Sequence, residues 1–463
     1  MMVNILFNMK KKIIIISLLA AFLLNSGFGC KGTDQTTEAA MKNITLTYWR
    51  VFDESDAFQD IINKYQALHP YVKIEYRKLR YEEYENELLN ALAEDRGPDV
   101  FSIHNTWVKK YQSKLSPLPT STSMVYPVTE GALKKETVYK LKATKSLTAK
   151  DIQDKFVDTV AHDAILDGQI YGLPLSVDTL AIFYNRDLLN NAGISNLPKY
   201  WNKDFLSAVK KLTKQSSEAG IIQAGAGLGG SSNIQRYSDI LSVLMMQNGA
   251  VMQSGDRVTF SRIPDTLKNN NYNPGIEALR FYTDFANPLK ESYSWNSTLP
   301  NSLDLFISGR LAIFFGYSYN IEDIRTKAPK LNYSISSLPQ IEGSSNIINF
   351  ANYWLEVVSK KSKNQDAAWD FIQYITKEEQ AKSYLKKTGH PTALKSLVDS
   401  EKEDPEIGVF ANQLLTAKSW YIGRDSQSAE AAFKEMIDNA LNSALKIEDI
   451  INNAAIKVQQ TIY

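Results

Sequence analysis

The chain has 463 residues, of which 44% are hydrophobic and 22% are charged, and its formal net charge is +1. This composition is that of an ordinary globular protein large enough for two lobes. The balanced charge and the lack of a long basic block exclude nucleic acid as an expected partner. No apolar run after the N-terminal segment is long enough to predict a transmembrane helix.

The first 30 residues have the order of a secretion signal. Three lysines at positions 10–12 precede an apolar run at 13–24, and small and polar residues then lead to Cys30. The apolar run is about 12 residues long, which is too short to cross a hydrocarbon core of ~30 Å. We therefore predict a signal peptide over 1–30.

Cys30 is the only cysteine in the chain, so no disulfide can form within it. It stands where a bacterial lipoprotein carries its lipid-modified cysteine, and we predict lipid attachment there. The alternative is an unmodified thiol within a discarded signal. The polar residues at 31–42 lack periodicity and are predicted to form a linker between the membrane and the folded part.

Strands and helices alternate over residues 44–103. Period-two and short apolar runs predict strands, and apolar residues at helical spacing predict helices. The strands are at Ile44–Tyr48, Val72–Tyr76 and Val100–Ile103, and the helices contain Phe58–Leu68 and Tyr84–Leu92. This order indicates an α/β fold with a parallel sheet, whose ligands bind beyond the carboxyl ends of the strands. The residues at 49–53 and 104–107 are therefore expected at a ligand edge.

The rest of the chain is less regular. Residues 119–150 are rich in Ser, Thr and Lys and are interpreted as an insertion or surface excursion. A strand is predicted at Thr179–Tyr184. Further helices are predicted at Asp204–Thr213, Gln235–Gln247, Pro274–Phe285, Ala367–Thr376 and Ala429–Leu445.

Three separated stretches carry a recognisable pattern. They are DGQIYGLPL at 167–175, FISGRLAIF at 306–314 and SKNQDAAWDFI at 362–372, and they are accompanied by GPDV at 97–100. In this order they resemble the signature of extracellular solute-binding proteins, the ligand-capturing subunits of ABC importers, in the branch that includes maltose-binding protein. The resemblance extends over most of the chain after residue 43.

The resemblance implies a two-lobed, type II periplasmic-binding-protein-like α/β fold. Each lobe is expected to be a mostly parallel sheet flanked by helices, with crossovers at a hinge. Carried over, the first lobe is 43–173 plus 337–375 and the second is 174–336 plus 376–463. The implied function is capture of a small solute and its delivery to a membrane permease, by a monomer without enzymatic activity, cofactor or metal. A mono- or oligosaccharide is the favoured solute, while a polyamine, glycerol phosphate, metal chelate or peptide stays open.

Sugars are bound by aromatic faces, which cover the ring, and by carboxylates or amides, which bind the hydroxyls. The resemblance and the strand ends together nominate the candidate residues, and several of these have a structural role as the alternative. The alternatives are core packing for Trp49, helix entry for Asp53 and a hinge hydrogen bond for Asp178. The predicted ligand-binding residues are Trp49, Asp53, Asn105, Asp178, Tyr317, Tyr353, Trp354 and Trp420.

Two other sequence patterns could suggest a different function. The GAGLGG stretch at 225–230 matches a dinucleotide-binding spacing, but no strand with an acidic end follows its helix, so a loop is expected. The adjacent glutamates at 82–83 and 378–379 do not face one another on a helix and make poor acid/base pairs. The alternative functions are a secreted glycoside hydrolase or lyase and a binding lipoprotein that acts without a permease.

Overall fold

The computed structural model describes Thr37, residues 41–131 and residues 135–463. The predicted signal peptide, Cys30 and most of the predicted linker lie outside the described residues. Within the described part of the chain, no helix is both long and apolar enough to cross a membrane.

The described residues contain twenty strands and seventeen α-helices, together with four short 3-10 helices. The strands are β1 (Ile44–Val51), β2 (Val72–Leu79), β3 (Val100–His104), β4 (Leu115–Ser116), β5 (Ser121–Glu130), β6 (Glu136–Lys145), β7 (Ile165–Leu166), β8 (Gln169–Ile170), β9 (Gly172–Leu173), β10 (Asp178–Thr179), β11 (Ala181–Asn185), β12 (Lys214–Ser216), β13 (Gly220–Ala226), β14 (Gln253–Ser254), β15 (Arg257–Val258), β16 (Leu311–Gly316), β17 (Tyr333–Ser336), β18 (Asn349–Asn352), β19 (Trp354–Ser359) and β20 (Ala417–Lys418). The α-helices are α1 (Asp56–Leu68), α2 (Tyr81–Ala93), α3 (Val108–Tyr111), α4 (Ala149–Lys155), α5 (Asp158–Ala164), α6 (Arg186–Asn191), α7 (Lys203–Leu212), α8 (Tyr237–Gln247), α9 (Pro274–Asp284), α10 (Ser302–Ile307), α11 (Asn320–Lys327), α12 (Gln365–Ile375), α13 (Glu378–Thr388), α14 (Lys395–Glu401), α15 (Gly408–Gln413), α16 (Ser426–Asn442) and α17 (Ile447–Gln460). The 3-10 helices are Asn105–Trp107, Gln112–Lys114, Asp265–Asn270 and Leu414–Thr416.

Six strands form the first sheet, in the order β2-β1-β3-β19-β4, with β9 paired to β19. The predicted strands over 44–103 are confirmed, and β1 pairs in parallel with both β2 and β3. The apolar positions of β1 and α1 face the core, as the spacing predicts. β19 runs antiparallel to β3 because it enters this sheet from the hinge side, so the sheet is mixed rather than mostly parallel.

The second sheet has the order β12-β13-β16-β11-β17. β16 is buried at every position, as expected for a central strand covered on both faces. Only β13 and β16 pair in parallel, whereas β11 is antiparallel to both of its neighbours. The GAGLGG stretch at 225–230 begins at the end of β13 and leads into a loop before α8, as predicted. We call this sheet and the helices packed on it the second lobe, and the first sheet with its helices the first lobe.

A small sheet joins the lobes. β10 pairs antiparallel with β18, and β20 pairs in parallel with β18. The chain therefore passes through this hinge sheet when it leaves the first lobe after β9 and when it returns through β18 into β19.

The predicted lobe boundary at 375/376 is followed by two helices that contact the first lobe. On α13, Glu379 forms an ion pair with Lys64 of α1, and Tyr384 reaches Arg50 of β1. The Lys395 ammonium of α14 donates to the Gln153 carbonyl of α4. Side chains join the core of the second lobe from 407 onward. These contacts favour a first lobe that extends through α14 and a crossing between 402 and 407.

The residues of the signature stretches set the local backbone geometry. Asp167 and Gly168 both have positive φ, of 52° and 75°, and form the tight turn between β7 and β8. A Cβ on Gly172 would lie 2.9 Å from the Val357 side chain, so glycine lets β9 approach β19 closely. Asp99 accepts a hydrogen bond of 2.5 Å from the Ser362 hydroxyl, which ties the GPDV stretch to the segment before α12.

The predicted excursion at 119–150 contains a two-stranded ribbon. β5 and β6 each have ten residues and pair with one another. Both strands are edges of the ribbon, and this explains why Pro127 is tolerated inside β5. The sequence pattern did not predict these strands because few of their side chains are buried on either face.

A buried ion cluster links β1, β19 and α13. The Arg50 guanidinium lies 3.1 Å from the Asp53 carboxylate and 3.3 Å from that of Glu356. Asp53 also accepts a hydrogen bond of 2.9 Å from the Tyr384 hydroxyl and lies 3.4 Å from the His390 ring. Burial acts to raise the pKa of Asp53, but Arg50, His390 and Tyr384 outweigh it and lower the pKa to about 2.

Asp53→Asn should therefore cost more stability at pH 7 than at pH 2. The pKa near 2 lies below the ordinary value of 3.8, so the carboxylate stabilises the fold above that value, and the contribution is lost as the pH falls through 2. Urea denaturation from pH 7 to pH 2 should show the gap between the variant and the native chain narrowing by about 2 kcal/mol. Asp60→Asn, on the exposed face of α1, is the matched control. A gap that does not change with pH would contradict this assignment.

Candidate ligand-binding cleft

A partly open cavity lies beside the hinge sheet. Its walls come from three places: the residues at the end of β3 and just after it, the hinge strand β18, and the second-lobe segments at α8 and at 419–433. The lining residues are His104, Asn105, Thr106, Arg236, Ser238, Asp239, Ser242, Phe350, Ala351, Asn352, Ser419, Trp420, Tyr421, Ser426, Ala429, Glu430 and Phe433. The predicted ligand edge after β3 is part of this wall.

The first-lobe wall is built on Asp163. Its carboxylate accepts hydrogen bonds from the Asn105 amide at 2.9 Å, from the Tyr353 hydroxyl at 2.8 Å and from the Ser419 hydroxyl at 2.5 Å. A carboxylate only accepts, so the amide nitrogen of Asn105 must face Asp163. The Asn105 Oδ1 atom is buried and has no hydrogen-bond partner in the described part of the chain. The cavity wall therefore holds an unused acceptor.

His104 is an uncharged member of the same wall. Burial, together with the nearby Arg236, lowers its pKa to about 4. Its Nδ1 accepts from the Thr106 amide at 3.4 Å, and its Nε2 lies 3.1 Å from the Asn352 side-chain oxygen. The proton of the neutral ring is therefore on Nε2, which donates to Asn352.

The second-lobe wall carries three charged groups. The Arg236 guanidinium donates two hydrogen bonds to the Asp239 carboxylate, at 2.7 Å and 3.0 Å, and the Tyr317 hydroxyl donates to the same carboxylate at 2.6 Å. Arg236 has a positive φ of 55°, a strained conformation for a residue with a side chain. No hydrogen bond or ion pair reaches the Glu430 carboxylate from the described residues. The Glu430 side chain is exposed, and partial desolvation by its surroundings raises its pKa.

Aromatic side chains extend the first-lobe wall. Trp354 is at the centre, with its ring centroid 5.4 to 6.3 Å from those of its neighbours. These neighbours are Phe52, Tyr81, Tyr84, His104 and Trp107. Phe52 and Tyr81 stack at 5.8 Å and are more than half exposed. The pKa of Tyr81 is raised by its burial, and Arg236 and Glu430 of the second lobe also act on it.

The second lobe contributes an aromatic pair. Tyr319 stacks on Tyr317 with 5.6 Å between the ring centroids, and Tyr319 is 44% exposed whereas Tyr317 is fully buried. Arg236 and Tyr81 both act electrostatically on the Tyr319 hydroxyl. Exposed aromatic rings from both lobes are thus close to the same charged wall.

The structure brings two of the predicted ligand residues, Asn105 and Trp420, into the cavity wall. The Trp420 ring packs on Phe433, and its Nε1 donates to the Ser242 hydroxyl at 3.0 Å. Tyr353 lies behind the wall on Asp163, and Trp354 lies in the aromatic cluster described above.

The other predicted ligand residues lie outside the lining and have structural partners. The Arg77 guanidinium covers the Trp49 ring at 4.7 Å, and Asp53 belongs to the buried ion cluster. The Asp178 carboxylate accepts from the Ser318 hydroxyl at 2.7 Å, next to the hinge sheet, and burial raises its pKa to about 6. Tyr317 is bound to Asp239 as described. A ligand contact by any of these four stays a prediction.

The family model for bacterial extracellular solute-binding proteins matches residues 52–382. The chain belongs to this family. The matched region contains β3, the hinge strand β18 and most of the aromatic cluster. The members of the family are binding proteins rather than enzymes.

Two relatives of this solute-binding protein align over most of its length. It is 23% identical to the galactooligosaccharide-binding protein of Bacillus subtilis, over 86% of this chain and 83% of that protein. It is 21% identical to the maltotriose-binding protein of Pyrococcus abyssi, over 90% and 84% of the two chains.

The fold is that of solved two-lobed binding proteins. The cyclic α-maltosyl-1,6-maltose binding protein of Arthrobacter globiformis superposes with a TM-score of 0.69 at 18% identity, over 90% of this chain and 98% of that chain. The sugar-binding protein MalE of Xanthomonas citri gives a TM-score of 0.65 at 18% identity, over 90% and 97%.

Sequence reasoning missed several residues of this binding protein's cleft. Phe52 lies within the ligand edge expected at 49–53, but only Trp49 and Asp53 were named there as ligand-binding residues. The spacing of Tyr317 and Tyr319 around a strand end also gave a signal, and the structure exposes the second tyrosine rather than the first. Arg236 and Glu430 gave no sequence signal, because the fold alone brings them to the cavity.

Phe52 of the binding protein has a φ of 73°, in the left-handed region. Glycine has no steric penalty there, whereas alanine does. Phe52→Gly should therefore be more stable than Phe52→Ala by about 1 kcal/mol in urea denaturation, because both lose the same aromatic contacts. At Lys73, an exposed position within β2, the order of the glycine and alanine variants should be the reverse. Equal stability of the two Phe52 variants would show that this residue is not strained.

Proposed function

We propose that this chain is the extracytoplasmic, monomeric binding component of an ABC importer, which captures a mono- or oligosaccharide and delivers it to a membrane permease. Family membership supports the solute-binding role. The names of the relatives, which bind galactooligosaccharides and maltotriose, support a saccharide as the solute.

The observation that carries the proposal is the chemistry of the cleft. Exposed rings of Phe52, Tyr81 and Tyr319 come from both lobes, and they suit the apolar faces of sugar rings. The free acceptors on Asn105 and Glu430 suit sugar hydroxyls, which donate hydrogen bonds. Aromatic faces beside unpaired acceptors are the combination that a saccharide requires.

The hinge sheet supplies the mechanism. Only three short strands, β10, β18 and β20, connect the lobes within it, so rotation of one lobe against the other changes few hydrogen bonds. A ligand that contacts both walls binds the closed form better and shifts the population toward it. Release follows when docking on the permease favours the open form, and a solute that leaves a buried acceptor unpaired loses about 1–3 kcal/mol.

A thermal-shift screen of the folded part against mono-, di- and trisaccharides tests the proposal. A bound sugar at 100 times its dissociation constant should add about 2.7 kcal/mol of stability. Trp420→Ala should weaken sugar binding by about tenfold or more, because the substitution removes an aromatic face from the cavity wall. Trp49→Ala is the matched control, since the Trp49 ring is covered by Arg77 outside the cavity.

If another solute class raises the melting temperature and no saccharide does, the saccharide proposal is wrong. If Trp49→Ala weakens sugar binding as much as Trp420→Ala does, the ligand binds outside this cavity. The melting temperature of each variant without ligand separates a lost contact from a damaged fold.

We also propose that Cys30 is lipidated, which would hold the protein on the outer face of the cell membrane after removal of residues 1–29. The motivation is the single cysteine after an apolar signal. Cys30→Ala should move the protein from the membrane fraction to the soluble fraction, as followed by immunoblotting. Lys31→Ala is the control and should stay membrane-bound. Membrane retention of Cys30→Ala would rule out this anchor.

A further inference from the structure

The charges around the cavity do not cancel. Among the lining residues, Arg236 is positive and Asp239 and Glu430 are negative, so their formal sum is −1. His104 adds no charge at neutral pH, because burial, with Arg236 nearby, lowers its pKa to about 4. Asp163, directly behind Asn105, is a further carboxylate. A ligand in this cavity therefore meets a net negative environment.

Arg236 is held by a buried carboxylate of its own wall. Two of its N–H groups are used by Asp239, whose residue is only 4% exposed. An anion that took Arg236 from Asp239 would leave a buried carboxylate with only the Tyr317 and Ser238 hydroxyls as partners. Removing one partner of a buried ion pair is strongly unfavourable. Asp239 thus balances the charge of Arg236, and Glu430 is left as the unbalanced charge of the lining.

Two acceptor groups of the cavity lining have no hydrogen-bond partner in the described part of the chain. Glu430 lines the cavity from α16, and its carboxylate has no partner among residues 41–131 and 135–463. The Asn105 Oδ1 atom, on the first-lobe wall, is buried and unpartnered within the same described residues. The buried Asn105 oxygen requires a donor from the ligand, and the exposed Glu430 carboxylate can exchange a water molecule for one. A carboxylate, phosphate or sulfate on the ligand could offer them only repulsion or an unpaired contact.

We infer that Glu430 is a specificity-determining residue that admits uncharged saccharides, whose hydroxyls donate to Glu430 and Asn105, and excludes saccharides that carry an anionic group. This inference rests on the proposed saccharide function. It assigns the exclusion to like-charge repulsion in a partly desolvated cleft, where such repulsion is stronger than in water.

Calorimetric titration of the folded part with matched sugars tests this role. The probes are di- and trisaccharides of glucose, galactose and mannose, together with their counterparts in which C6 is oxidised to a carboxylate. The native protein should bind an uncharged probe at least about tenfold more tightly than its acidic counterpart. Glu430→Gln keeps the shape and an acceptor oxygen, and it should reduce this ratio severalfold by strengthening the binding of the acidic sugar.

Glu435→Gln is the matched control. Glu435 lies on the same helix, α16, outside the cavity, and forms an ion pair with Lys457. This variant changes the net charge of the protein by the same amount as Glu430→Gln does. It should leave the ratio of affinities for uncharged and acidic sugars unchanged. Equal changes in the two variants would mean that the overall charge, and not Glu430, sets the discrimination.

The outcomes distinguish this inference from the proposed function. If the native protein binds an acidic sugar as tightly as its uncharged counterpart or more tightly, the inference fails and the saccharide function stands. If the native protein discriminates but Glu430→Gln keeps the full ratio, Glu430 is not the determinant. If no sugar of either series binds, the saccharide function fails and the inference fails with it.

Discussion

One stretch of backbone, from β18 to the end of β19, is shared by the hinge sheet and the first sheet. β18 pairs with β10 and β20, and β19 pairs with β3, β4 and β9, with only Tyr353 between them. These hydrogen bonds fix where Ala351 and Asn352 stand at the cavity and where Trp354 stands in the aromatic cluster. A slip of one residue would exchange buried and exposed faces and dismantle both walls together.

The polar groups near the cleft do two different things. Asp53, Asp163 and Asp239 are buried carboxylates with several partners each, and they hold strands, loops and the strained Arg236 in place. Such groups have little capacity left for a ligand. The Asn105 oxygen is the opposite case, because it is buried without a partner among the described residues, and the exposed Glu430 carboxylate has no protein partner there either. The contrast explains why a polar residue near the cavity is not by itself a ligand residue.

Much of the fold could be predicted from the sequence, because the signature stretches encode backbone geometry. The Asp167–Gly168 turn, the close approach at Gly172 and the Asp99 contact to Ser362 are requirements of the scaffold, so a resemblance in these residues transfers the fold. The hinge position near 402–407 was not predicted. The sequences of helices α13 and α14 would suit the surface of either lobe. Only their contacts, such as those to Arg50 and Gln153, associate them with the first lobe.

The cleft was less predictable for the same reason. Asn105 and Trp420 could be named from strand ends and the family pattern, and they line the cavity. Tyr317 was favoured over Tyr319 because sequence spacing does not show which of two tyrosines meets Asp239. Arg236 and Glu430 are almost 200 residues apart, and their proximity depends on the packing of α8 and α16, which no local pattern encodes.

β19 comes late in the sequence, and this position affects how the chain folds. The Ser102 side chain of β3 binds Glu356 of β19 across a sequence separation of 254 residues, so the central pairing of the first sheet must wait for most of the chain. Such non-local pairing folds slowly. Until β19 is in place, the edge of β3 that it will cover stays unpaired, and an unpaired strand edge is open to association with other chains.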